Sequence, residues 1–95
     1  MWKTLDTIGT IGSEGGEIIA DEEYKESCRI TLEKCAEYYS ITCGVYGSMV
    51  HTTFANSECC WNKFNEMKMV LQEFIDKDIT DEEEALFYDE FIIKY

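Results

Sequence analysis

Two β-rich runs, Tyr39–Tyr46 and Met49–Phe54, flank the dipeptide Gly47-Ser48. Strands joined by so short a link can pair only antiparallel, because a parallel partner needs a crossover of a dozen residues or more. A two-residue loop that begins with Gly suits a type II′ turn, in which Gly supplies the positive φ. With Gly47-Ser48 as the whole loop, Tyr46 stands opposite Met49, Val45 opposite Val50, Cys43 opposite Thr52 and Ile41 opposite Phe54. That register gathers Ile41, Cys43, Val45, Val50, Thr52 and Phe54 on one face and Thr42, Gly44, Tyr46, Met49, His51 and Thr53 on the other. The first face is the more apolar, and a slip of one residue mixes the two sets.

The segment before the hairpin alternates with period two. Cys28, Ile30 and Leu32 share one face, and Arg29, Thr31 and Glu33 share the other, the signature of a half-buried strand. A break follows at Lys34–Glu37. Glu17-Ile18-Ile19-Ala20 forms a further candidate strand that runs into the acidic Asp21-Glu22-Glu23. Residues 1–16 read as a loose or short extended N-terminal arm, because Gly9, Gly12, Gly15 and Gly16 interrupt any helix there.

Downstream the period changes from two to 3.6. Cys60, Phe64, Met67, Leu71 and Phe74 recur at helical spacing, widened by Val70 and Ile75. Asn56 and Ser57 are candidate caps for this helix, which is predicted to end near Lys77. Thr80-Asp81-Glu82-Glu83 reads as a capping box for a second helix, with Phe87, Phe91 and Tyr95 on its apolar side beside Tyr88 and Ile92. An antiparallel sheet buries its apolar face against another layer. The predicted fold is therefore α+β: three or four strands in a hairpin meander, packed on two C-terminal helices as a two-layer sandwich, in a single domain over residues 1–95.

Charge bounds the partners. Twenty acidic residues against 8 basic ones give a net charge of −12. Such a surface repels phosphate backbones and anionic lipid, which argues against direct nucleic-acid or membrane binding and favours basic proteins. The five cysteines (Cys28, Cys35, Cys43, Cys59 and Cys60) are odd in number, and Met1–Asp6 contain no apolar signal core. Both features point to free thiols and a cytoplasmic setting.

No motif builds a metal or cofactor site. Asp76, Asp78 and Thr80 place oxygens at alternate positions of a loop, but Asp81 stands where a calcium loop needs glycine and Phe87 where it needs a bidentate glutamate. The cysteines lack the spacing of a zinc site. Gly9–Gly16 matches neither glycine-rich phosphate motif, and Glu14 opposes phosphate. His51 is the only histidine. In the register above it faces away from Cys43, which separates the one pair able to suggest nucleophilic chemistry.

Arg29-Ile30-Thr31-Leu32-Glu33, the block Ile41-Thr42-Cys43-Gly44-Val45-Tyr46-Gly47-Ser48-Met49-Val50-His51-Thr52, and Glu66-Met67-Lys68 resemble a family of small bacterial proteins with no established activity. The resemblance spans residues 17–95 and implies a bacterial cytoplasmic protein. It implies no mechanism.

These features together suggest a non-enzymatic interaction module, in one form an immunity-like inhibitor of a basic partner. Its candidate face comprises Tyr46, Met49, His51, Thr42 and Thr53, with Tyr38 and Tyr39 extending it. A small-ligand protein or minor enzyme using His51 with Tyr46 or Cys43 is the alternative, and a homodimer formed through the sheet is another.

Overall fold

A computed structural model describes every residue from Met1 to Tyr95. Five strands form one antiparallel meander in sequence order: β1 (Trp2–Thr4), β2 (Glu17–Tyr24), β3 (Cys28–Lys34), β4 (Tyr39–Val45) and β5 (Met49–Ala55). Two helices follow, α1 (Cys60–Asp76) and α2 (Asp81–Lys94). The α+β class and the C-terminal helix pair agree with the sequence reading. The sheet has one strand more than the largest number expected.

The extra strand comes from the N-terminal arm, which takes the extended of the two forms expected and is fastened to the sheet. β1 pairs with the far end of β2, Trp2 opposite Tyr24 and Thr4 opposite Glu22. Beyond it the chain keeps contact with β2 through backbone hydrogen bonds from Leu5 to Asp21, from Gly9 to Ile18 and from Ile18 back to Thr10. β2 also extends through its acidic residues to Tyr24. There each charged side chain finds a partner: Asp21 binds Arg29, Glu22 binds Lys68 and Glu23 accepts from Tyr46.

The helices cover one face only. The rows Tyr24–Cys28–Val45–Met49, Glu22–Ile30–Cys43–His51 and Ala20–Leu32–Ile41–Thr53 cross the sheet beneath them. Cys28, Ile30, Leu32, Ile41 and Cys43 there are fully buried against Cys60, Phe64, Met67 and Leu71 of α1. These four residues and Phe74 are the buried stripe of α1, as the spacing predicts. Burying a side chain the size of Phe64 or Leu71 contributes roughly 1.5–3 kcal/mol. Cys43 and Cys60 are core residues, as expected.

α1 starts later than its candidate caps. The Asn56 side-chain oxygen accepts from the backbone N–H groups of Glu58 and Cys59, so it stabilises a turn that precedes the helix. The capping box of α2 forms as predicted: Glu83 N–H donates to Thr80 Oγ1 at 3.2 Å, and Thr80 N–H donates to the Glu83 carboxylate at 3.4 Å. α2 docks by its aromatic side. Phe87 stacks on Phe74 at 4.0 Å, and Phe91 is buried.

The β2–β3 turn, Tyr24–Ser27, closes with a 2.9 Å bond from Ser27 N–H to the Tyr24 carbonyl. Its two central residues, Lys25 and Glu26, take φ of 51° and 54°, the left-handed pattern of a type I′ turn. Neither residue suits that region, which costs an L-residue about 1–2 kcal/mol. Lys25 uses its position to bind Asp76 at 2.7 Å, whereas Glu26 is exposed. Glu26→Gly is expected to raise the unfolding free energy by about 0.5 kcal/mol, after the added entropy of glycine is subtracted. A urea denaturation midpoint unchanged or lowered by this substitution contradicts the reading.

Candidate functional site

The β4–β5 link differs from the expected two-residue turn by one residue. Its loop is Tyr46-Gly47-Ser48, closed by Ser48 N–H donating to the Val45 carbonyl at 2.9 Å. Gly47 takes φ +77° as the third residue of that turn, where a type II turn requires a positive φ. Val45 therefore pairs with Met49, Cys43 with His51 and Ile41 with Thr53. One residue of slip sends every β5 side chain to the opposite face.

The candidate face read from the sequence is dispersed by this shift. Met49, His51 and Thr53 lie on the helix-covered face, where Met49 and Thr53 are buried. Thr53 donates to the Tyr95 carbonyl. The His51 ring meets Phe91 edge-on at 6.2 Å. Its Nε2 atom is buried without a hydrogen-bond partner. Thr42 stays on the uncovered face, and Tyr46 sits in the turn, exposed. Of the two flanking tyrosines, Tyr38 packs edge-on against Phe54 at 5.2 Å, while Tyr39 lies on the helix side, packed against the core.

The same shift makes Cys43 and His51 direct cross-strand neighbours instead of separating them. Burial holds the Cys43 thiol protonated, pushing its pKa up to about 12, with Cys28 nearby adding to the effect. A nucleophilic cysteine needs the opposite perturbation and access to solvent. His51 lines none of the three main cavities.

The uncovered face carries a different constellation. Its rows are Glu23–Arg29–Gly44–Val50, Asp21–Thr31–Thr42–Thr52 and Ile18–Glu33–Ser40–Phe54. A bulge at Ile19 turns Ile18 onto this face, since Ile18 pairs with Glu33 and Ala20 with Leu32. The N-terminal arm folds over the β2–β3 side, and the Tyr46 turn stands at the other end. Between them lies a cleft of about 450 Å³ lined by Thr10, Ile11, Arg29, Thr42, Tyr46 and Val50, among others.

Two buried carboxylates anchor the cleft. Asp21 accepts from Arg29 Nε at 2.8 Å and Nη2 at 2.5 Å, from Thr31 at 3.0 Å and from Thr7 at 2.5 Å. Desolvation raises its pKa, but the Arg29, Thr7 and Thr31 hydrogen bonds together outweigh that and hold it below the ordinary carboxylate value. Glu33 accepts from the backbone N–H of Gly16 at 3.1 Å and of Glu14 at 3.2 Å. Gly12 crosses the same carboxylate so closely that a Cβ on it would come within 2.4 Å of Glu33 Cδ. The glycine run of the N-terminal arm is thus a loop fitted over a buried carboxylate.

Tyr46 completes one wall. Its phenol donates to the Glu23 carboxylate at 2.5 Å, reaching across the row that Gly44 leaves open. Desolvation first, and then the Glu23 hydrogen bond, push its pKa up to about 12, so it acts as a donor throughout the physiological range. Sequence reasoning missed Asp21, Arg29 and Glu33. The alternation of Arg29, Thr31 and Glu33 opposite the core face was the available signal.

Comparison with protein-family models, curated proteins and solved structures yields no match. No helix is long and apolar enough to cross a membrane. No group of three or more His, Cys, Asp or Glu side chains is placed to hold a metal ion.

Asp21→Asn is expected to destabilise the fold by about 1–2 kcal/mol, because it weakens the charge-assisted hydrogen bonds from Arg29, Thr7 and Thr31, while the 40% exposed Arg29 side chain stays partly hydrated. The wild-type stabilisation from Asp21 is complete above the unfolded value near 3.8 and is lost as pH falls through the depressed folded value. Asp21→Asn should therefore flatten the decline in stability below about pH 4. Chemical denaturation across pH measures both effects, and an unchanged acid limb contradicts the assignment. Gly12→Ala is expected to cost about 1–3 kcal/mol by lifting the loop off Glu33. A loss below about 0.5 kcal/mol in the same assay counts against the close approach.

Proposed function

We propose that the chain is a non-enzymatic interaction module that seats a segment of a basic partner protein on the uncovered face of its sheet. The cleft of about 450 Å³ beside the N-terminal arm carries this reading. Its rim presents Ile11, Tyr46 and Val50, all exposed, on a chain of net charge −12. Apolar residues at the rim supply contact area, and the net charge of the whole chain supplies long-range steering of a cationic partner.

The floor of the cleft also supports recognition. Arg29 and Thr31, which line it, are both held by hydrogen bonds to the buried Asp21, so the surface is preorganised and loses little side-chain entropy on binding. The concrete form is an inhibitor or immunity-like protein that covers a basic functional surface of its partner. A reducing, cytoplasmic setting suits the core, where Cys28, Cys43 and Cys60 are buried as small apolar residues.

The test is recovery of a basic protein from the native host at low salt, followed by titration of the purified pair. Binding is expected to weaken as salt rises, because screening removes the attraction. Ile11→Asp and Tyr46→Ala, both outside the β5 strand, are each expected to reduce affinity about tenfold or more while leaving the fold intact. Failure to recover a basic partner, or an affinity indifferent to both substitutions, overturns the proposal.

A further inference from the structure

The two edges of the sheet are unlike. β1 is three residues long and carries Lys3, and short edge strands with a lysine resist pairing with other chains. β5 is a seven-residue strand with no proline, no bulge and no charged side chain. The surrounding sequence is equally bare: Tyr38 through Ser57 contain no Asp, Glu, Lys or Arg, in a chain that is 29% charged.

The backbone polarity of β5 follows from its neighbours. Tyr46 N–H donates to the Ser27 carbonyl, so Gly44, Thr42 and Ser40 direct their backbone groups toward β3. Val45, Cys43 and Ile41 then direct theirs toward β5, and their partners Met49, His51 and Thr53 answer them. Val50, Thr52 and Phe54 are left with N–H and C=O groups pointing out of the sheet. β5 pairs with no strand except β4, and no backbone bond from another element reaches its outer edge. On the uncovered face above these groups, the Val50 and Phe54 side chains are 78% and 57% exposed.

We propose that β5 is a self-association edge at which two copies of this chain pair antiparallel, about a two-fold axis through Thr52, to form one continuous sheet. The sequence of the strand is self-complementary under that operation. Thr52 meets Thr52, and Val50 of each copy meets Phe54 of the other, an aliphatic–aromatic cross-strand pair of the kind that stabilises sheets. All three outward-facing residues fall in hydrogen-bonded positions, which gives roughly six intermolecular backbone bonds. Charge selects the occupant. Two chains of −12 repel each other over most of their surfaces and meet without like-charge contact where neither bears a charge. A strongly basic partner gains nothing from an edge that has no anions.

Light scattering and amide exchange on the purified chain test this. The mass is expected to rise from 11.1 kDa toward twice that value with concentration, and to do so more readily at high salt, where the mutual repulsion is screened. High salt weakens binding of a basic partner, so the two behaviours are separable. Over the same concentration range the amides of Val50, Thr52 and Phe54 are expected to become protected, while those of His51 and Thr53 are protected throughout. Phe54→Glu and Thr52→Pro, both outside the internal ladder, are expected to hold the chain at 11.1 kDa with its thermal melt retained. A single 11.1 kDa species up to about 1 mM overturns the proposal. So does a dimer that leaves the three amides exchanging freely, a result that does not depend on any variant folding.

Discussion

Two carboxylates buried on the face of the sheet that the helices do not cover, Asp21 and Glu33, organise the rest of that face. An ionised carboxylate cannot be withdrawn from water without charged or hydrogen-bonding partners. Asp21 draws Arg29 flat across β2 and β3 and holds Thr7 above them. Glu33 draws the backbone of Glu14 and Gly16 over itself, with Gly12 passing in contact. The N-terminal segment is thereby fastened at two points, and the cleft exists because its wall is fastened. Apolar residues at these two positions would leave the arm with β1 and a few edge bonds to hold it.

The opposite face follows simpler rules. α1 presents one buried stripe and the three central strands present another, and their union forms most of the core. α2 adds Phe91, with Phe87 stacked on Phe74, and reaches the sheet at β5 through His51 and Thr53. β5 is the least covered of the long strands on either face. Its inward residues are the mixed set Met49, His51 and Thr53, and its outward set retains Val50 and Phe54. An edge strand half roofed by one helix tolerates that division, where a central strand would not.

Charge is unevenly spread, and that distinguishes the two proposed surfaces. Most of the acidic residues fall on β2 and the helices, and the densest run, Asp81–Glu84, sits on the positive end of the α2 dipole. The β4–β5 hairpin carries none of them. The cleft lies where the N-terminal arm meets the neutral hairpin, and the free edge lies beyond it. The two proposed surfaces adjoin at Val50, which lines the cleft and also lies on the free edge, whereas Ile11 belongs to the cleft alone and Thr52 and Phe54 to the edge alone.

Much of this architecture was legible in the sequence. Period-two alternation over Cys28–Glu33, the 3.6-residue stripe of α1 and the Thr80–Glu83 capping box are local signals, each set by neighbours within a few residues, and all three hold. The α+β class follows from them. An extended N-terminal arm was legible but its docking was not, because glycines that mark flexibility in isolation here admit a close approach to Glu33, a residue distant in sequence. The register of β5 was not legible for a related reason. Both pairings have passable hairpin turns and plausible apolar sets, and they differ by one residue at Tyr46. What separates them is which side chains α2 meets and whether Asp21 and Arg29 share their face with Val50 or with His51, contacts that exist only after the chain has folded. Local periodicity thus determined the elements and their order. Tertiary packing alone decided which face of the last strand looks outward, and with it which side chains the uncovered face and the free edge present.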